Sequence, residues 1–569
     1  MKIRVVDYIT NFLVKNDVRD IFVLTGFGAM YLNDAIAKNK HMKYFCVRNE
    51  ASSPMMAEAY ARIKQSLGAV CLTAGPGSTN AVPGLAEAYV DSAPIIIISG
   101  QVNKNQTTYN AKVKGLRSFG TAEINIIPIV KPLTKFAEMI NDPVLIRYYL
   151  EKAVYIAQHG RPGPVWLDIP HDIQNVFIEP KKLKRFSPDE LEPEKDLGDL
   201  KVDKVLNLIK KSKRPLIVAG NGIRQGFATS EFVKFISKIK IPIFLSRLGL
   251  DLLPYSNQFN MGLGGIKGSR FCAQIMKEAD FILVLGSRMA IPFVGPKMDA
   301  FRRDAKIVMV DIEKAELIKP GIHIDVPVHA NVLNFLKKMN VKLKNYKMRD
   351  FSSWLGYCQD LKAENPMVLA SMKKNPINLY YFMSRLDLLS SGGNILVTDA
   401  GSNYYVGGQV FKFERGQREI TSATFAAMGL GVPLAIGSAI AEKNAQILAV
   451  TGDGSLELNI QELKTMSYYN LNIKLFVINN GGYVSMRNWQ DTFFEGRHIG
   501  SDNKTGEEIL NLKKVAEAFN LKYELINKWQ EIDEKIKKVM RRPEPLFIEV
   551  VCSNTQEIVE PISNENRKS

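Results

Sequence analysis

The chain has 569 residues, of which 46% are hydrophobic and 23% charged. This composition excludes a mainly disordered chain, and no apolar run reaches the roughly 18–20 residues that a membrane-spanning helix needs. The net charge of +17 is spread along the chain instead of being clustered with aromatic residues. It therefore predicts a lysine-rich surface and argues against a nucleic-acid-binding protein, while a weaker interpretation is attraction of anionic substrates and phosphorylated cofactors.

The cysteines and the N-terminal segment indicate a cytoplasmic protein. The five cysteines lie far apart and form no CxxC pair, which predicts neither a zinc site nor a disulfide framework. An odd number of scattered thiols fits a reducing compartment. The first segment, MKIRVVDYITNFL, mixes charged and apolar residues and predicts an amphipathic helix, not a signal peptide.

Three series of short apolar strands alternate with helical patterns along the chain. This alternation predicts βαβ units and therefore an α/β protein of three doubly wound parallel-sheet domains. The expected domains are residues 1–180, 201–340 and 376–555, with charged linkers at 181–200 and 341–375. Strands are expected at residues 20–25, 69–73, 95–99, 165–169, 215–219, 281–285, 307–311, 395–398, 446–451, 474–479 and 546–551. The last dozen residues are expected to be mobile.

The most informative motif is the turn Gly452-Asp453-Gly454-Ser455, which follows one predicted strand and precedes a helix. Asn480 follows the next strand, and adjacent parallel strands present their carboxyl ends at one edge of a sheet. Oxygens of Asp453 and Asn480 can therefore converge on Mg²⁺, which keeps water and phosphate as its other ligands. The glycines let the backbone approach phosphates, and Ser455 with the helix N-terminus adds donors for an anion. The alternative is a plain turn and a strand end, but the strand–turn–helix context favours a diphosphate–metal site.

These residues resemble the fingerprint of thiamine diphosphate-dependent enzymes. The resemblance covers nearly the whole chain and is strongest to acetolactate synthase-like enzymes. It implies a pyrimidine-binding domain at 1–180, a central flavin-binding-like domain at 201–340 and a diphosphate-binding domain at 376–555. The segments that carry it, besides the GDGS turn, are RNE at 48–50, MAEAYAR at 56–62, TAGPGSTN at 73–80, TDAGSN at 398–403, AAMGLG at 426–431, NN at 479–480, NWQ at 488–490 and EGR at 495–497.

The resemblance also implies roles for individual residues. Asp453 and Asn480, with the carbonyl of Gly482, would hold Mg²⁺. Glu50 would share a proton with the aminopyrimidine ring of the cofactor, and the alternative for it is a carboxylate at a helix N-terminus. Met428 would hold the two cofactor rings in a bent arrangement, although such a Met is more often core filling. The other cofactor-binding residues implied are Gly75, Asn80, Ala400, Gly401, Ser402, Asn403, Ala426, Gly452, Gly454 and Ser455.

For the central domain, the resemblance implies bound FAD with a structural role. Glycines at strand ends can cradle an adenine dinucleotide, and the alternative is an empty domain that only supports the fold. The residues implied for the flavin are Gly220, Gly222, Gly264, Arg288 and Asp311.

The histidines bear on the type of reaction. Simple decarboxylases of this superfamily commonly use an adjacent pair of histidines as proton donors, whereas all six histidines here are isolated in the sequence. We therefore expect a carboligase, which decarboxylates a 2-keto acid such as pyruvate and transfers the two-carbon unit to a second carbonyl. Trp489 would line the acceptor pocket, and the alternative for it is an amphipathic core aromatic.

Other functions and acceptors stay open at this stage. Ala122 stands where relatives often carry Gln, and Val484 stands where many carry Gly, so the acceptor is either a second 2-keto acid or a nucleotide-linked keto-sugar. A simple decarboxylase and an inactive scaffold homologue are further alternatives, but all the implied catalytic residues are present. The resemblance also implies a homodimer or homotetramer, because the glutamate of one chain meets the diphosphate-binding domain of another. Neither a membrane nor a nucleic acid is expected as a partner.

Overall fold

The computed structural model describes residues 2–191, 200–298, 301, 304–390 and 392–562. These residues form three six-stranded sheets, and the strands within each sheet pair in parallel. The predicted fold class, an α/β protein of three doubly wound parallel-sheet domains, is therefore confirmed. Among the helices described, none is both long and apolar enough to span a membrane.

The first domain contains a central sheet and a small antiparallel pair. Its strands are β1 (Ile3–Arg4), β2 (Asp20–Val23), β3 (Lys43–Cys46), β4 (Gly68–Leu72), β5 (Ile95–Gln101), β6 (Phe136–Met139), β7 (Val165–Pro170) and β8 (Phe177–Ile178). Its helices are α1 (Val5–Lys15), α2 (Met30–Lys38), α3 (Ser52–Lys64), α4 (Pro76–Thr79), α5 (Val82–Val90), α6 (Thr108–Ala111), α7 (Ile126–Val130), α8 (Ile146–Gln158) and α9 (His171–Gln174). The sheet order is β3-β2-β4-β5-β7-β6, while β1 pairs with β8.

The central domain has the strand order β11-β10-β9-β12-β13-β14. These strands are β9 (Pro215–Ala219), β10 (Ile243–Leu245), β11 (Asn260–Leu263), β12 (Phe281–Leu285), β13 (Lys306–Asp311) and β14 (Val326–His329). The helices are α10 (Val202–Lys211), α11 (Gly222–Gln225), α12 (Thr229–Ile239), α13 (Cys272–Glu278), α14 (Ile291–Val294), α15 (Lys314–Ile318), α16 (Val332–Lys342) and α17 (Ser352–Glu364). In this order the chain reverses direction across the sheet between β9 and β12, where doubly wound sheets leave a ligand crevice.

The third domain repeats the strand order of the first, as β16-β15-β17-β18-β20-β19. Its strands are β15 (Ile395–Thr398), β16 (Arg418–Ile420), β17 (Ile447–Gly452), β18 (Ile473–Asn479), β19 (Lys522–Ile526) and β20 (Leu546–Val551). Its helices are α18 (Leu379–Leu389), α19 (Ser402–Val410), α20 (Gly431–Ala441), α21 (Asp453–Glu457), α22 (Glu462–Tyr468), α23 (Val484–Phe494), α24 (Leu512–Ala518) and α25 (Ile532–Met540).

Helices α3 and α20 join the first and third domains through a shared apolar core. Every residue of α20 is buried, as are the residues of α3 from Ser52 to Ala61. Helices that are apolar on all sides must be covered on all sides, so this pair lies between the two sheets instead of on the surface. The backbone amides of Arg48 and Asn49 both donate to the Glu462 carboxylate at 2.9 Å, which adds a polar link between the domains.

Two segments differ from the expectations. The stretch 341–375, expected as a linker, contains α17, whose Trp354, Leu355, Cys358 and Leu361 are buried in the core shared with the central domain. The tail, which was expected to be mobile, makes hydrogen bonds as far as its last described residue, because Val559 N–H donates to Tyr380 Oη and Ile562 N–H donates to the Arg270 carbonyl. Residues 192–199 of the expected linker and 563–569 of the tail lie outside the described residues.

Candidate active site

Asp453 connects the ends of two neighbouring strands. It begins α21 directly after β17, and its side chain is buried. Its Oδ1 accepts the backbone N–H of Gly454 at 2.8 Å, and its Oδ2 accepts those of Asn480 at 2.9 Å and Gly482 at 3.1 Å. Burial raises the pKa of this carboxyl above its ordinary value, although the same backbone N–H groups oppose the rise.

The loop Asn480–Gly481–Gly482 follows β18 and has an uncommon conformation. Gly481 and Gly482 have φ angles of 71° and 101°, a region that L side chains rarely adopt. A Cβ on Gly481 would meet no atom within 4 Å, so the loop faces open space at that point. The carbonyls of Asn480 and Gly481 accept hydrogen bonds from the buried guanidinium of Arg487, a residue that the sequence analysis did not single out.

Asp399 organises the opposite side of the GDGS turn. This buried carboxylate accepts hydrogen bonds from the hydroxyls of Thr451 and Ser455 and from the backbone N–H of Gly431. Burial raises its pKa to about 6. The Ser455 hydroxyl therefore donates to Asp399, and it also accepts the N–H of Gly429. Because the hydroxyl proton points to Asp399, any donation from Ser455 to an anion would have to come from its backbone N–H.

The two segments implied to lie around the cofactor contact the same part of the third domain. Gly401, with a φ of 84°, precedes α19, in which Ser402 and Asn403 are buried. Asn403 Nδ2 donates to the Val450 carbonyl of β17, next to the GDGS turn. Ala426 has a φ of 50° and its N–H donates to Ser422, and the half-buried Met428 follows two residues later. Ala400 lies between Asp399 and Gly401 at the end of β15, and Gly452 ends β17.

Glu50 lies in the first domain beside the glycine-rich loop. It is half-buried, and its Oε2 accepts a hydrogen bond from Asn80 Nδ2 at 3.1 Å. Gly75, with a φ of 62°, precedes the short helix α4, and Asn80 follows it. Ala122 also has a positive φ, and its carbonyl oxygen packs against Gly75. For the residues described in this chain, no hydrogen bond or ion pair joins Glu50 to the Asp453 turn.

Helix α23 carries an exposed aromatic surface. Trp489 is 61% exposed and its ring centroid lies 5.0 Å from that of Phe493, which is similarly exposed. The opposite stripe of the helix, Val484, Arg487 and Gln490, is buried against the loops on either side. Trp489 is therefore not a core aromatic within this chain.

A cavity of about 1220 Å³ lies between the three domains. Of the residues implied for a flavin, Gly222, Gly264, Arg288 and Asp311 line it, and so do Ala426 and Trp489. Gly220 does not line it; a Cβ there would lie 2.3 Å from the Gly286 carbonyl oxygen, so this glycine allows the β9 and β12 loops to pack together. Burial raises the pKa of Asp311 to about 6.

A buried carboxyl cluster lies where the first domain meets the third, and the sequence analysis did not predict it. Glu58, Glu87 and Asp91 have oxygens within 4.8 Å of one another. Arg62 pairs with Glu58 at 3.1 Å and donates to the Thr421 carbonyl, while Asp91 accepts the N–H of Ala423. No sequence signal predicts this cluster, because its members come from α3, from α5 and from the residue after α5, and they lie against the third domain.

Comparisons with known proteins agree with this architecture. The family models described as thiamine pyrophosphate enzyme N-terminal TPP binding domain, central domain and C-terminal TPP binding domain match residues 3–121, 202–339 and 399–550, respectively. The chain is 29% identical to the acetolactate synthase large subunit of Lactococcus lactis subsp. lactis (strain IL1403), over 95% of this chain and 91% of that protein. It is similarly 29% identical to the acetolactate synthase large subunit of Cyanidium caldarium, over 96% and 92% of the two chains. Acetolactate synthase 1, chloroplastic, of Nicotiana tabacum is 28% identical, over 97% and 82%.

Three parallel-sheet domains in this order, with a glycine–aspartate turn at the edge of the last sheet, define the class to which the protein belongs. The chain is a member of the thiamine pyrophosphate enzyme family, as the matches in all three domains show. Within that family it is similar over nearly its whole length to acetolactate synthase large subunits. The predicted resemblance is thereby confirmed.

Proposed function

We propose that this protein is a Mg²⁺-dependent carboligase that decarboxylates a 2-keto acid and transfers the two-carbon unit to a carbonyl acceptor. Pyruvate is the favoured donor. The observation that carries the proposal is the joining of the Asp453 turn to the Asn480–Gly482 loop at the edge of the third sheet. The comparisons support a thiamine pyrophosphate enzyme of the carboligase type.

The residues at this edge fit a divalent cation with a bound diphosphate. The Asp453 carboxylate, the Asn480 amide oxygen and the Gly482 carbonyl form an all-oxygen donor set, which suits Mg²⁺ better than softer metals. The open space beside Gly481 leaves room for phosphate oxygens. Asp453 Oδ1 and Oδ2 already face backbone N–H groups, so the carboxylate is held in one orientation before a cation binds.

Thiamine diphosphate, when bound, supplies the nucleophilic carbon and the electron sink for decarboxylation. The chain's own residues would then have the following tasks. Glu50 would hold a proton at the aminopyrimidine nitrogen, with its carboxylate oriented by Asn80. Asp453, Asn480 and Gly482 would hold the cation, and Met428 would pack against the cofactor. Ala426, whose φ is 50°, would offer its backbone carbonyl to the cofactor amine.

The distribution of histidines favours carboligation over simple decarboxylation. The described structure contains all six: His41, His159, His171, His323, His329 and His498. His171 stacks on Phe27, His329 bonds the Ile312 carbonyl, and His498 bonds Asp491 and Asp502. None of them is adjacent to another in the sequence, so the chain lacks the adjacent histidine pair that simple decarboxylases commonly use. We therefore expect transfer of the two-carbon unit to a second carbonyl instead of its protonation.

The cavity between the domains supports two uses. The strand order of the central sheet places a crevice between β9 and β12, which favours an adenine dinucleotide such as FAD there. The same cavity reaches Trp489 and Ala426, so it also has room at that end for an acceptor, either a second 2-keto acid or a nucleotide-linked keto-sugar. An absorption spectrum of the purified protein, with a flavin band expected, tests the first use, and product analysis tests the second.

Product analysis with labelled pyruvate tests the proposal. Two pyruvate molecules should give one acetolactate and one carbon dioxide, with little free acetaldehyde. If a larger acceptor is the natural one, pyruvate alone should react slowly and saturate poorly, and adding a nucleotide-linked keto-sugar should accelerate the release of carbon dioxide. If acetaldehyde were the main product under all conditions, the protein would be a simple decarboxylase and not a carboligase. The absence of any decarboxylation would favour the inactive homologue.

A further inference from the structure

Arg487 is a buried cation that is paired with no carboxylate. Its side chain is 8% exposed, and it extends from the first turn of α23 toward the loop that follows β18. In the described part of the chain, no ion pair involves its guanidinium, although a buried charge is costly unless strong hydrogen bonds compensate for it. The hydrogen bonds of the guanidinium must therefore compensate for the burial of its charge.

The Nη1 and Nη2 groups of Arg487 donate to backbone carbonyls. Nη1 donates to the carbonyls of Gly481 at 2.8 Å and Ser501 at 2.6 Å. Nη2 donates to the carbonyls of Asn480 at 3.0 Å and Asn554 at 3.4 Å. One planar guanidinium thus connects α23, the loop after β18 and two later segments. A Lys side chain, with a single nitrogen, cannot reproduce this fork.

The loop is consequently held from two sides by opposite charges. On one side the backbone N–H groups of Asn480 and Gly482 point to Asp453. On the other side the carbonyls of Asn480 and Gly481 point to Arg487. The Gly482 carbonyl has a different partner. Among the described residues it accepts the backbone N–H of Val484 at 3.1 Å and receives no hydrogen bond from the guanidinium. A carbonyl oxygen has two lone pairs, so this one retains the capacity to bind a cation.

We propose that Arg487 is a positioning residue for the divalent cation. Its hydrogen bonds hold the Asn480 and Gly481 carbonyls away from the cation site. The Asn480 side chain and the Gly482 carbonyl then remain as the ligands that the loop presents to the cation. Arg487 also stabilises two successive positive-φ residues, whose conformation would otherwise relax. This inference rests on the proposed function, since it assigns Arg487 to the same cation site, but Arg487 itself contacts neither substrate nor cation.

Binding measurements on the full-length protein test the inference. Mg²⁺ is titrated calorimetrically into protein that contains excess thiamine diphosphate, for the wild type, Arg487→Lys and Arg487→Met. We expect the Kd for Mg²⁺ to rise about tenfold in Arg487→Lys and further in Arg487→Met. At saturating Mg²⁺ and cofactor, kcat for carbon dioxide release in Arg487→Lys should stay within about threefold of the wild type, because the reacting groups are unchanged.

Arg385→Met is the matched control. Arg385 lies on α18 of the same domain and bonds Asp533 through Nε and Nη2 at 2.7 and 2.6 Å, without contacting the loop. Its loss should lower the melting temperature without the ligand but change the Kd for Mg²⁺ less than twofold. If Arg385→Met and Arg487→Lys weaken Mg²⁺ binding equally, the effect is general destabilisation and the inference is overturned.

Three other results would also overturn it. One is an unchanged Kd for Mg²⁺ in both folded Arg487 variants. Another is a large loss of kcat at saturation with an unchanged Kd, which would make Arg487 part of the chemistry. The third is failure of both variants to fold, which would show that the guanidinium is needed for folding and not specifically for cation binding. A wild type that binds no thiamine diphosphate with Mg²⁺ is a distinct outcome, because it removes the proposed function itself.

Discussion

Asp453 Oδ2 accepts the backbone N–H of Asn480 at 2.9 Å, although the two residues are 27 positions apart in the chain. Their closeness follows from the parallel pairing of β17 and β18, which brings both carboxyl ends to the same edge of the sheet. The carboxylate is thereby fixed before any ligand arrives, so no ordering of this side chain is needed when a cation binds.

Asp453→Ala is expected to abolish Mg²⁺-dependent binding of thiamine diphosphate. The variant removes a metal ligand and also leaves the N–H groups of Asn480 and Gly482 without their acceptor. Calorimetric titration at high Mg²⁺ should detect little cofactor affinity. Asp533→Ala, which breaks a partly exposed pair with Arg385 in the same domain, serves as the control and should bind normally. If Asp453→Ala bound thiamine diphosphate with the affinity of the wild type, the metal site would have to lie elsewhere in the protein.

Glu50→Gln is expected to bind the cofactor but to lose nearly all turnover. Gln keeps the size of the side chain and can still bond Asn80, but it cannot exchange a proton, a loss that typically costs about 10²–10⁴-fold in rate. The measurement is hydrogen–deuterium exchange at the reactive cofactor carbon, by NMR after acid quenching. Glu138→Gln, a half-buried glutamate of β6, is the control. Exchange in Glu50→Gln as fast as in the wild type would remove Glu50 from the mechanism.

Trp489→Leu is expected to change the choice of acceptor more than the decarboxylation of the donor. Trp489 lines the interdomain cavity, and the acceptor enters after carbon dioxide has left. Acceptor KM and product ratio should therefore shift several-fold, while the rate of carbon dioxide release should change less than about twofold. Met486→Leu, on an exposed part of the same helix outside the cavity lining, is the matched control. If decarboxylation of the donor and transfer to the acceptor were slowed equally, Trp489 would have a structural role and no specific role in acceptor binding.

The carboxyl cluster predicts that stability falls as pH rises. Burial raises the pKa of Glu87 to about 9, and burial also raises the pKa values of Glu58 and Asp91. The folded protein therefore keeps a proton that the unfolded chain releases near pH 4.5, and the free energy of unfolding decreases between about pH 4.5 and 9. The basic groups facing the cluster are Arg62 and Arg288, which limit this effect without removing it.

Glu87→Gln should flatten this pH dependence, because the amide does not titrate. Scanning calorimetry should give a melting temperature above that of the wild type at pH 9, with a smaller difference at pH 5. Glu495→Gln, an exposed glutamate at the end of α23, should leave the profile unchanged. A Glu87→Gln profile parallel to the wild type would show that Glu87 stays ionised in the folded protein.

A homodimer or larger assembly is expected in solution. Within one described chain, Glu50 and the Asp453 turn share no hydrogen bond, and the aromatic surface of α23 is exposed. Sedimentation velocity at the concentration of the activity assay is the measurement. A fully active species of 63.8 kDa would contradict the expectation, since one chain would then complete the site alone.

Most strands predicted from the sequence are present because they are long and buried on both faces. Strands β4, β5 and β12, for example, consist of buried residues throughout and appear in the sequence as apolar runs. The edge strands β3, β6, β14 and β19 were missed, since they are partly exposed and lack such runs. Strands β10, β11 and β16 were missed as well, although β10 and β11 are buried throughout, because each has only three or four residues. Helix α17 was missed for a similar reason, because only one of its faces is buried in an otherwise polar stretch.

The sequence by itself determined the parallel architecture and the nearness of Asp453 to Asn480, because strand, turn and helix signals are local and parallel strands must end at the same edge. The family followed from the resemblance of its motifs, which the comparisons confirmed. Only the tertiary structure decided the use of the polar groups around that edge. In the sequence Arg487 looks like a surface helix residue, whereas in the structure its guanidinium is buried and donates to two loop carbonyls. The sequence likewise does not show that the Ser455 hydroxyl donates its hydrogen bond to Asp399. Burial and hydrogen-bond partners depend on segments far apart in the chain, and no local pattern encodes which of them will meet.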